Sequence, residues 1–489
     1  MTAPIPIIFG AWKPDQATFQ SDALTDALNV VPVPGGYGPT HGFNLVDGVT
    51  ITPPILGATV FSDTSDASFI YAGSGDDIYV SNNGAVFSSK YHNATPLSTL
   101  NSWQFARFVG KAIAVQLGAQ TVAGDIGQTM TALAGSPPRA KTIGVVGDFL
   151  VLGDLDDGID GHRPNRIRWC GFRDPTTWGT SVGAQSDYND MPDEGGAVQG
   201  IVGREFGSVF QRYSISRMTY VGPDTVFRFD VVEKKRGAIS SRSIIDCGLI
   251  AAYIADDGFM LWDGTNSTPI GAGAVNEYFR GRLAPGTEDY IVGAFDPLSV
   301  TISWAYRTDG SALLKERLSY SLTENRWTRS DLTMSWLTSG FDIGYTLESL
   351  DQFGSLDSLN FSLDDPKLQG KRFRAVGFDA SGNYGPLNGD ALAARLDTGD
   401  FESAPGIRSF VNGVRPIVDA PTASCAIGWR PQAMSDPITF TNSSPKALDG
   451  NCPLRAAGRY MRFRTNIDGM QSWTRATGLE VPVLAEGMR

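Results

Sequence analysis

Cysteine and histidine are scarce in this sequence, which has four cysteines and three histidines among 489 residues. The cysteines lie far apart, so no CxxC pair is present to bind zinc or to carry redox chemistry. We expect reduced, mostly buried thiols and assembly in a cytosol-like compartment, with pairing of two of them left open. The cysteines are Cys170, Cys247, Cys425 and Cys452, and the open pair is Cys425 with Cys452.

A basic excess is also lacking. The chain has 52 acidic and 40 basic residues and a net charge of −12, whereas a protein that grips nucleic acid by its phosphates needs a basic patch. The densest basic run is EKKR at residues 233–236, which we interpret as a solvated strand end. The charge balance therefore argues against a protein that binds DNA tightly, and it leaves open a protein past which DNA slides.

Long apolar runs are absent as well. No run reaches the roughly 18–20 residues of a membrane span, and the opening MTAPIPIIFGAW lacks the basic region and apolar core of a signal peptide. We therefore expect no membrane span. Hydrophobic residues still make up 42% of the chain, and 56 glycines and 28 prolines are scattered along it. This composition is typical of a globular protein with many short strands and tight turns.

A recurring hairpin pattern is the strongest feature that the sequence does contain. In LIAAYIADDGFMLWDG, residues 249–264, two apolar runs flank an Asp/Gly turn, which is the sequence form of a β-hairpin. The first three looser copies turn near Asp76, Gly110 and Gly147, which are 34 and 37 residues apart. Because a four-stranded propeller blade takes about 40–50 residues, we predict a mainly β fold with a β-propeller. A large β-sandwich is the alternative. The looser copies begin at Phe69, Phe105, Thr142, Ile201, Tyr290 and Phe373.

The chain ends differ in pattern from the hairpin region, so we predict three segments. Residues 1–60 form an N-terminal arm and part of a small β platform domain, and residues 61–389 form the β-propeller with a long loop at 158–200. Residues 390–489 form a C-terminal β domain that completes the platform.

Within these segments the pattern predicts three local features. Residues 22–29 have the spacing of a short helix, and two prolines keep residues 29–37 out of a central strand. Residues 460–464 alternate strictly, which predicts a half-buried strand with Arg462 and Arg464 facing solvent or an acidic neighbour. Residues 340–369 are interpreted as weakly structured surface.

Three motifs with catalytic or metal-binding counterparts are present in incomplete form. Gly179–Gly183 matches G-x-S-x-G around Ser181, but no strand is predicted before it and no helix after it. The acidic segment 154–160 lacks the glycine and glutamate positions of an EF-hand-type calcium loop, although a calcium site there stays open. A turn at Asp256–Gly258 approaches a sialidase turn, with its tryptophan one residue late. We therefore predict no enzyme, and no catalytic, cofactor-binding or metal-binding residues. The remaining residues considered in these motifs are Asp154, Asp156, Asp157, Asp160 and Trp262. We interpret the three histidines, His41, His92 and His162, as surface or turn residues.

Several stretches resemble one protein family, in the same order along most of the chain. They are residues 12–16 (WKPDQ), 29–32 (NVVP) with Gly36 and Tyr37, RIRWCGFRDPTTW from Arg166, GREFGSVFQRYSISRMTYVG from Gly203, DDGFMLWDG with residues 269–271 (PIG), and GRYMRFRTNI with Trp473. Together they resemble the tail nozzle or tail hub proteins of short-tailed bacteriophages, which include tail tubular B-type and packaged-DNA stabilisation proteins.

The resemblance implies a structural virion protein whose six copies form a ring below the portal and its adaptor protein. It implies a propeller flanked by a platform built from both chain ends, assembled in the host cytoplasm into the tail. The lumen would retain the packaged genome and conduct DNA during ejection without binding it specifically. An acidic chain suits this role, because a polyanion passes neutral or acidic walls without releasing counterions. Tail fibres or a needle are implied partners, although no long segment for docking them is visible.

The alternative function is that of a β-propeller glycan hydrolase or carbohydrate-binding tail protein that acts on the host envelope. Such a protein needs a cleft in which carboxylates and aromatic side chains converge. It would also act without forming a ring. The sequence alone does not decide between the two.

Overall fold

The computed structural model describes residues 4–19, 21–46, 48, 51–65, 67–82, 84–158, 160–341, 372–402 and 408–485. Strands dominate these residues, and the α-helix among them, α1 (Asn276–Arg282), is short. The first four strands are β1 (Ile5–Ile8), β2 (Asp26–Leu28), β3 (Val30–Val33) and β4 (Gly36–Pro39).

Seven successive antiparallel sheets follow in the described part of the chain, each made of strands that are neighbours in sequence. Short turns join the strands, so each sheet is the meander of a propeller blade. Blade one contains β5 (Gly57–Ser62), β6 (Ser68–Gly73), β7 (Asp77–Ser81) and β8 (Ser88–His92). Blade two contains β9 (Gln104–Phe108), β10 (Lys111–Val115), β11 (Val122–Asp125) and β12 (Thr131–Ala132). Blade three contains β13 (Arg139–Val146), β14 (Phe149–Asp157), β15 (Gly161–Trp169) and β16 (Asp187–Asp190).

The remaining blades repeat this order. Blade four contains β17 (Val198–Gly203), β18 (Gly207–Gln211), β19 (Ser214–Gly222) and β20 (Val226–Lys234), and blade five contains β21 (Ile245–Asp246), β22 (Ala251–Ala255), β23 (Gly258–Trp262) and β24 (Ser267–Pro269). Blade six contains β25 (Val292–Asp296), β26 (Thr301–Tyr306), β27 (Glu316–Ser321) and β28 (Arg326–Ser330). Blade seven contains β29 (Met334–Phe341), β30 (Phe373–Asp379) and β31 (Tyr384–Pro386).

The platform contains nine further strands from the C-terminal part of the chain. They are β32 (Ala394–Asp397), β33 (Ser409–Val418), β34 (Ala423–Arg430), β35 (Thr439–Phe440), β36 (Ser444–Pro445), β37 (Cys452–Gly458), β38 (Tyr460–Ile467), β39 (Ala476–Val481) and β40 (Val483–Ala485). Strands β1, β3 and β4 join β33, β37, β39 and β40 in one sheet, with β3 at its edge. The predicted fold class, a mainly β propeller with a small β platform built from the chain ends, is confirmed.

The first strands of the blades are the innermost, and they close the ring. Strand β29 of blade seven packs against β5 of blade one, and the Thr338 hydroxyl donates to the Ala58 carbonyl oxygen at 3.0 Å. A Cβ at Gly340 would lie 2.6 Å from the Val60 side chain. The two strands approach this closely because position 340 is glycine.

The N-terminal segment before blade one covers the outer edge of blade seven. The backbone amides of Asn44 and Val46 donate to the carbonyl oxygens of Pro386 and Tyr384 at 2.8 and 2.9 Å. An exposed sheet edge invites pairing with other chains. The segment that connects platform and propeller therefore also protects the last blade.

Separate apolar clusters fill the spaces between adjacent blades. Between blades one and two, Tyr71 and Ile78 pack with Trp103, whose indole N–H donates to the Ser74 carbonyl oxygen at 2.8 Å. Similar clusters lie between the following blades. Burying both faces of a strand requires near-continuous apolar runs, such as TISWAY in β26, whose six residues are all buried.

Strand β2 joins the platform to the propeller. It pairs in parallel with β28 of blade six through Leu28 and Arg329, and antiparallel with β32 of the platform along its whole length. One ten-stranded sheet therefore runs from blade six into the platform.

The Asp26 carboxylate lies at the centre of this connection. It accepts hydrogen bonds from Arg329 of blade six at 2.6 and 2.9 Å, and from Arg395 of β32 at 2.8 Å. Asp26 is 7% exposed. A buried carboxylate is tolerated where charged donors surround it, and bidentate arginine pairs are the strongest of these.

The predicted helix at residues 22–29 is wrong, since none of these residues is helical and the second half of the segment contains β2. A segment of eight residues is too short to be helical without tertiary support. Strands β28 and β32 pair with its backbone instead, and Arg329 and Arg395 bind the Asp26 carboxylate. The prediction for Arg462 and Arg464 is confirmed: they lie on β38 and pair with Asp400 at 3.1 Å and Asp397 at 2.7 Å.

The long loop at 158–200 is shorter than predicted. Strands β15 and β16 take up residues 161–169 and 187–190, and a 3₁₀ turn covers Asp193–Gly195, so the irregular part is 170–186. The hairpins predicted at residues 249–264 and at Asp76, Gly110 and Gly147 are confirmed by β22–β23, β6–β7, β9–β10 and β13–β14. Most of segment 340–369 lies outside the described residues.

We predict that Asp26→Asn lowers the free energy of unfolding by about 3 kcal/mol, because two arginines lose their counter-charge in a buried site. Urea denaturation followed by tryptophan fluorescence measures this. The matched control is Asp148→Asn, which breaks the exposed pair with Arg173 and should leave the urea midpoint unchanged. Equal effects of the two substitutions would contradict the role given to Asp26.

Candidate functional site

The axis of the propeller holds a central channel. A cavity of about 410 Å³ lies between the innermost strands, with lining residues from all seven blades. Among the described residues that line it, the charged ones are Arg242 and Asp246, and Asp246 pairs with Arg204 at 2.7 Å. Glycoside hydrolysis needs two carboxylates on opposite sides of the bond that breaks, and this channel wall does not bring two together. The lining includes Thr59, Gln104, Ile143, Ile201, Ile245, Gly293 and Thr338.

The Ser181 motif lies in the irregular segment of blade three. Strand β15 ends at Trp169, well before the motif, and the residues that follow it form a turn closed by backbone hydrogen bonds between Ser181 and Ser186. The hydroxyl of Ser181 accepts from the Ala184 amide at 3.3 Å. The strand and helix that expose a nucleophilic serine are therefore not found around it.

Asp154 and Asp160 of segment 154–160 each pair with a different residue of β15. Asp154 is buried and accepts from His162 Nε2 at 2.6 Å, while the Asp160 carboxylate pairs with Arg166 at 2.5 Å. Burial raises the pKa of Asp154, and the hydrogen bond from His162 opposes that shift. These two pairs stabilise the β14–β15 hairpin, and His162 is exposed, in agreement with its interpretation as a surface or turn residue.

The acidic turn at Asp256–Gly258 joins blades four and five. Asp256 pairs with Arg212 at 2.6 Å and Asp257 with Arg236 at 2.7 Å, so the basic run at 233–236 supplies an inter-blade ion pair from the end of β20. Trp262 is buried and donates to the Ser208 hydroxyl at 2.8 Å. A tryptophan in this position packs the fold and is not available to a sugar.

The other two histidines, His41 and His92, are also exposed, in agreement with their interpretation as surface or turn residues. His41 Nδ1 lies 2.9 Å from the Gly389 carbonyl oxygen, and His92 Nδ1 lies 3.4 Å from Asp77. The ligand atoms of Asp76, Asp77 and His92 lie within 4.8 Å of one another. No local sequence pattern marks this group, because the pairing of β7 with β8, which places Asp77 opposite His92, is a tertiary feature. Asp77 already accepts from the Ser89 hydroxyl at 2.7 Å.

The four cysteines are free thiols. Cys170, Cys425 and Cys452 are buried and Cys247 is half-buried. Burial raises the pKa of Cys170 and of Cys247 to about 12, which makes both thiols unreactive at neutral pH. Cys425 and Cys452 interact across the platform, and this contact together with burial raises the pKa of Cys425.

An aromatic groove lies between blades three and four. It has a volume of about 660 Å³. Phe172 and Tyr220 are 47% and 43% exposed, and Asp148 and Glu205 lie at its rim with Arg217. The aromatic residues come from five separate strands and loops, so no local sequence pattern predicts the groove. They are Phe149, Phe172, Phe206, Tyr220 and Phe227.

No helix among the described residues is long and apolar enough to cross a lipid bilayer.

Comparison with known proteins places the chain in no family. No protein-family profile matches the sequence, and no curated protein matches it. Among solved structures, the chain is similar to the Neurospora crassa Pan2 WD40 domain, with a TM-score of 0.38 and 8% identity over 62% of this chain and 90% of that chain. It is also similar to a chain of a mitotic checkpoint complex, with a TM-score of 0.38 and 10% identity over 63% and 90%.

A third similar structure is BBS1N in complex with ARL6DN, with a TM-score of 0.39 and 9% identity over 71% of this chain and 96% of that chain. These identities are low, so we draw nothing about function from the three likenesses.

We predict that calcium leaves the thermal unfolding midpoint unchanged, because Asp154 and Asp160 are already occupied by His162 and Arg166. Melting curves with calcium and with EDTA measure this. A calcium-dependent rise that disappears in Asp154→Asn would overturn the assignment of these acids to the hairpin.

Proposed function

We propose that this chain is a structural virion protein that forms the nozzle or hub ring of a bacteriophage tail, below the portal and its adaptor protein. The observation that carries the proposal is the position of the motifs behind the resemblance. Several of them, far apart in sequence, meet at the junction between platform and propeller. Residues that hold two parts of one molecule in a fixed orientation are what a ring-forming scaffold requires.

The first motif fastens the N-terminal segment to helix α1. The Asp15 carboxylate accepts from the backbone amides of Glu277 and Tyr278, both at 2.8 Å, at the positive end of the helix. Buried Trp12 stacks edge-on against Tyr278 with ring centroids 5.1 Å apart, and its indole N–H donates to the Thr25 carbonyl oxygen at 3.2 Å.

Two further motifs meet at the same junction. The Asn29 side chain donates to Asp331 beyond blade six and to the Ala393 carbonyl oxygen of the platform, both at 2.8 Å. Arg462 and Arg464 of the last motif pair with Asp400 and Asp397, at and just after the end of β32, the platform strand that pairs with β2.

The charge balance supports a channel through which DNA passes, as opposed to a site that binds DNA. The net charge of −12 repels a polyanion, and many arginines are engaged by acids within the fold, as at Asp26, Asp397 and Asp400. Few counterions would then be released at each contact with passing DNA. In the proposed ring, six copies surround this passage, tail fibres or a needle attach to it, and assembly takes place in the host cytoplasm.

The outer edge of β1 is the surface we assign to the contact between copies. Among the described residues β1 has one strand partner, β39, and Ile8 on it is 74% exposed. Soluble proteins usually protect an open edge with charge or proline. Strand β1 carries Pro6 but no charged side chain, so its exposed apolar residues suit contact with a neighbouring copy.

Electron microscopy of the purified full-length chain tests the proposal. We expect closed rings of wild-type protein, and loss of rings in Ile8→Lys, because a charge at the edge opposes strand pairing. The control is Leu298→Lys, which places the same charge at an exposed leucine, 54% exposed, on the turn between β25 and β26, and should leave the rings intact. A wild-type protein that stays monomeric at high concentration would contradict the proposal.

The aromatic groove favours one second candidate function, that of a tail protein that binds carbohydrate of the host envelope. Exposed aromatic faces with acids at the rim are suited to stacking against sugar rings. Binding of host-envelope polysaccharide, lost in Phe172→Ala and accompanied by no ring, would support this second function. Degradation of the polysaccharide by wild-type protein would support the hydrolase instead.

A further inference from the structure

Two arginines meet at one mouth of the central channel without an acidic partner. Arg242 precedes the first strand of blade five, and Arg307 follows the second strand of blade six. In a meander, the start of a first strand and the end of a second strand lie on the same face. Both side chains line a cavity of about 140 Å³, and Arg242 also lines the channel.

The Tyr290 ring holds the two guanidinium groups together. The Arg307 guanidinium carbon lies 3.6 Å from the ring centroid and that of Arg242 lies 5.5 Å from it. Arg242 also lies 5.4 Å from the Trp336 ring centroid and donates to the Thr99 carbonyl oxygen at 3.2 Å. Aromatic faces stabilise the cations and fix their positions.

Neither charge is neutralised within the described part of the chain. No described carboxylate lies within 4.0 Å of either guanidinium, and the Nε of Arg307 is buried without a hydrogen-bond partner. Burial lowers the pKa of Arg242 to about 10, an effect that exposed Asp289 opposes, and burial also lowers the pKa of Arg307. Both groups therefore remain cations at pH 7 while the environment disfavours their charge.

This arrangement differs from the ion pairs elsewhere in the fold. Buried Asp26 lies between two arginines, and buried Glu316 pairs with Arg282 at 2.7 Å. At the channel mouth, two like charges face one cavity, which costs free energy unless an anion enters. A buried donor without an acceptor adds to that cost.

We propose that this cavity binds a phosphate-type oxyanion. Guanidinium groups donate in pairs to tetrahedral oxyanions, and two of them match a doubly charged ion. The volume is ample for a phosphate-sized anion, since a cavity needs only about 10–15 Å³ to hold one water. The ion is either free inorganic phosphate or the phosphate group of a nucleotide whose base and sugar remain outside. The proposal is independent of the ring function.

Thermal unfolding of the full-length protein at constant ionic strength tests this site, with sodium phosphate compared to sodium chloride. We expect phosphate to raise the wild-type midpoint by a few degrees, because a ligand that binds the folded state stabilises it. The rise should disappear in Arg307→Met and in Arg242→Met. A deoxynucleoside monophosphate is tested in parallel: an equal rise identifies a phosphate ester as a ligand, and a rise with phosphate alone identifies the free ion.

The matched control is Arg217→Met, which removes a half-buried arginine that lies 4.0 Å from the Phe206 ring centroid in the aromatic groove and should keep the full response. If a variant fails to fold, broadening of the ³¹P resonance of phosphate by wild-type protein, reversed by excess sulfate, gives an independent measure of binding. No phosphate-specific stabilisation of the wild type, or an equal rise in Arg307→Met, would overturn the proposal.

Discussion

The position of the platform depends on one buried carboxylate. Asp26 lies on a strand of three residues, too short to order itself, and it accepts hydrogen bonds from an arginine of blade six and another of the platform. The parallel pairing of Leu28 with Arg329 then extends the blade into the platform sheet. The three residues of β2 make both the backbone pairing and the charge pairing. The platform therefore has one orientation relative to the propeller. Any assembly built from this chain inherits that orientation.

The propeller reaches closure by a different kind of interaction. Each blade buries its faces against its neighbours through a separate apolar cluster, so the ring is a series of similar contacts with no single centre. The last contact, between β29 and β5, depends on glycine at position 340 and on the hydrogen bond from Thr338. The segment at 44–46 then covers the outer edge of blade seven. The chain therefore closes the propeller with its own last blade and with residues that come immediately before the first blade.

The repeating part of this fold can be predicted from the sequence, because a hairpin is determined by neighbouring residues. The Asp/Gly turn at 256–258 and the apolar runs on either side of it are enough to predict one. The junction cannot be predicted in this way. Residues 22–29 have helical spacing, and what makes them strand is pairing with residues more than 300 positions away.

The candidate sites show the same limit. Ser181, Asp154 and Asp160 belong to motifs that the sequence shows, and their surroundings assign them to a turn and to ion pairs. The aromatic groove and the arginine pair around Tyr290 form only when several blades meet. Their members are ordinary strand and loop residues in the sequence, so no local pattern distinguishes them.

Hydrogen exchange followed by mass spectrometry is the most direct measurement of whether platform and propeller form one body. If β2 joins them as described, the amides of Leu28 and Asn29 should exchange as slowly as those in the centre of β27. Fast exchange of β2, with blade six and β38 both remaining protected, would mean that the two parts are separately stable and that the junction does not hold them.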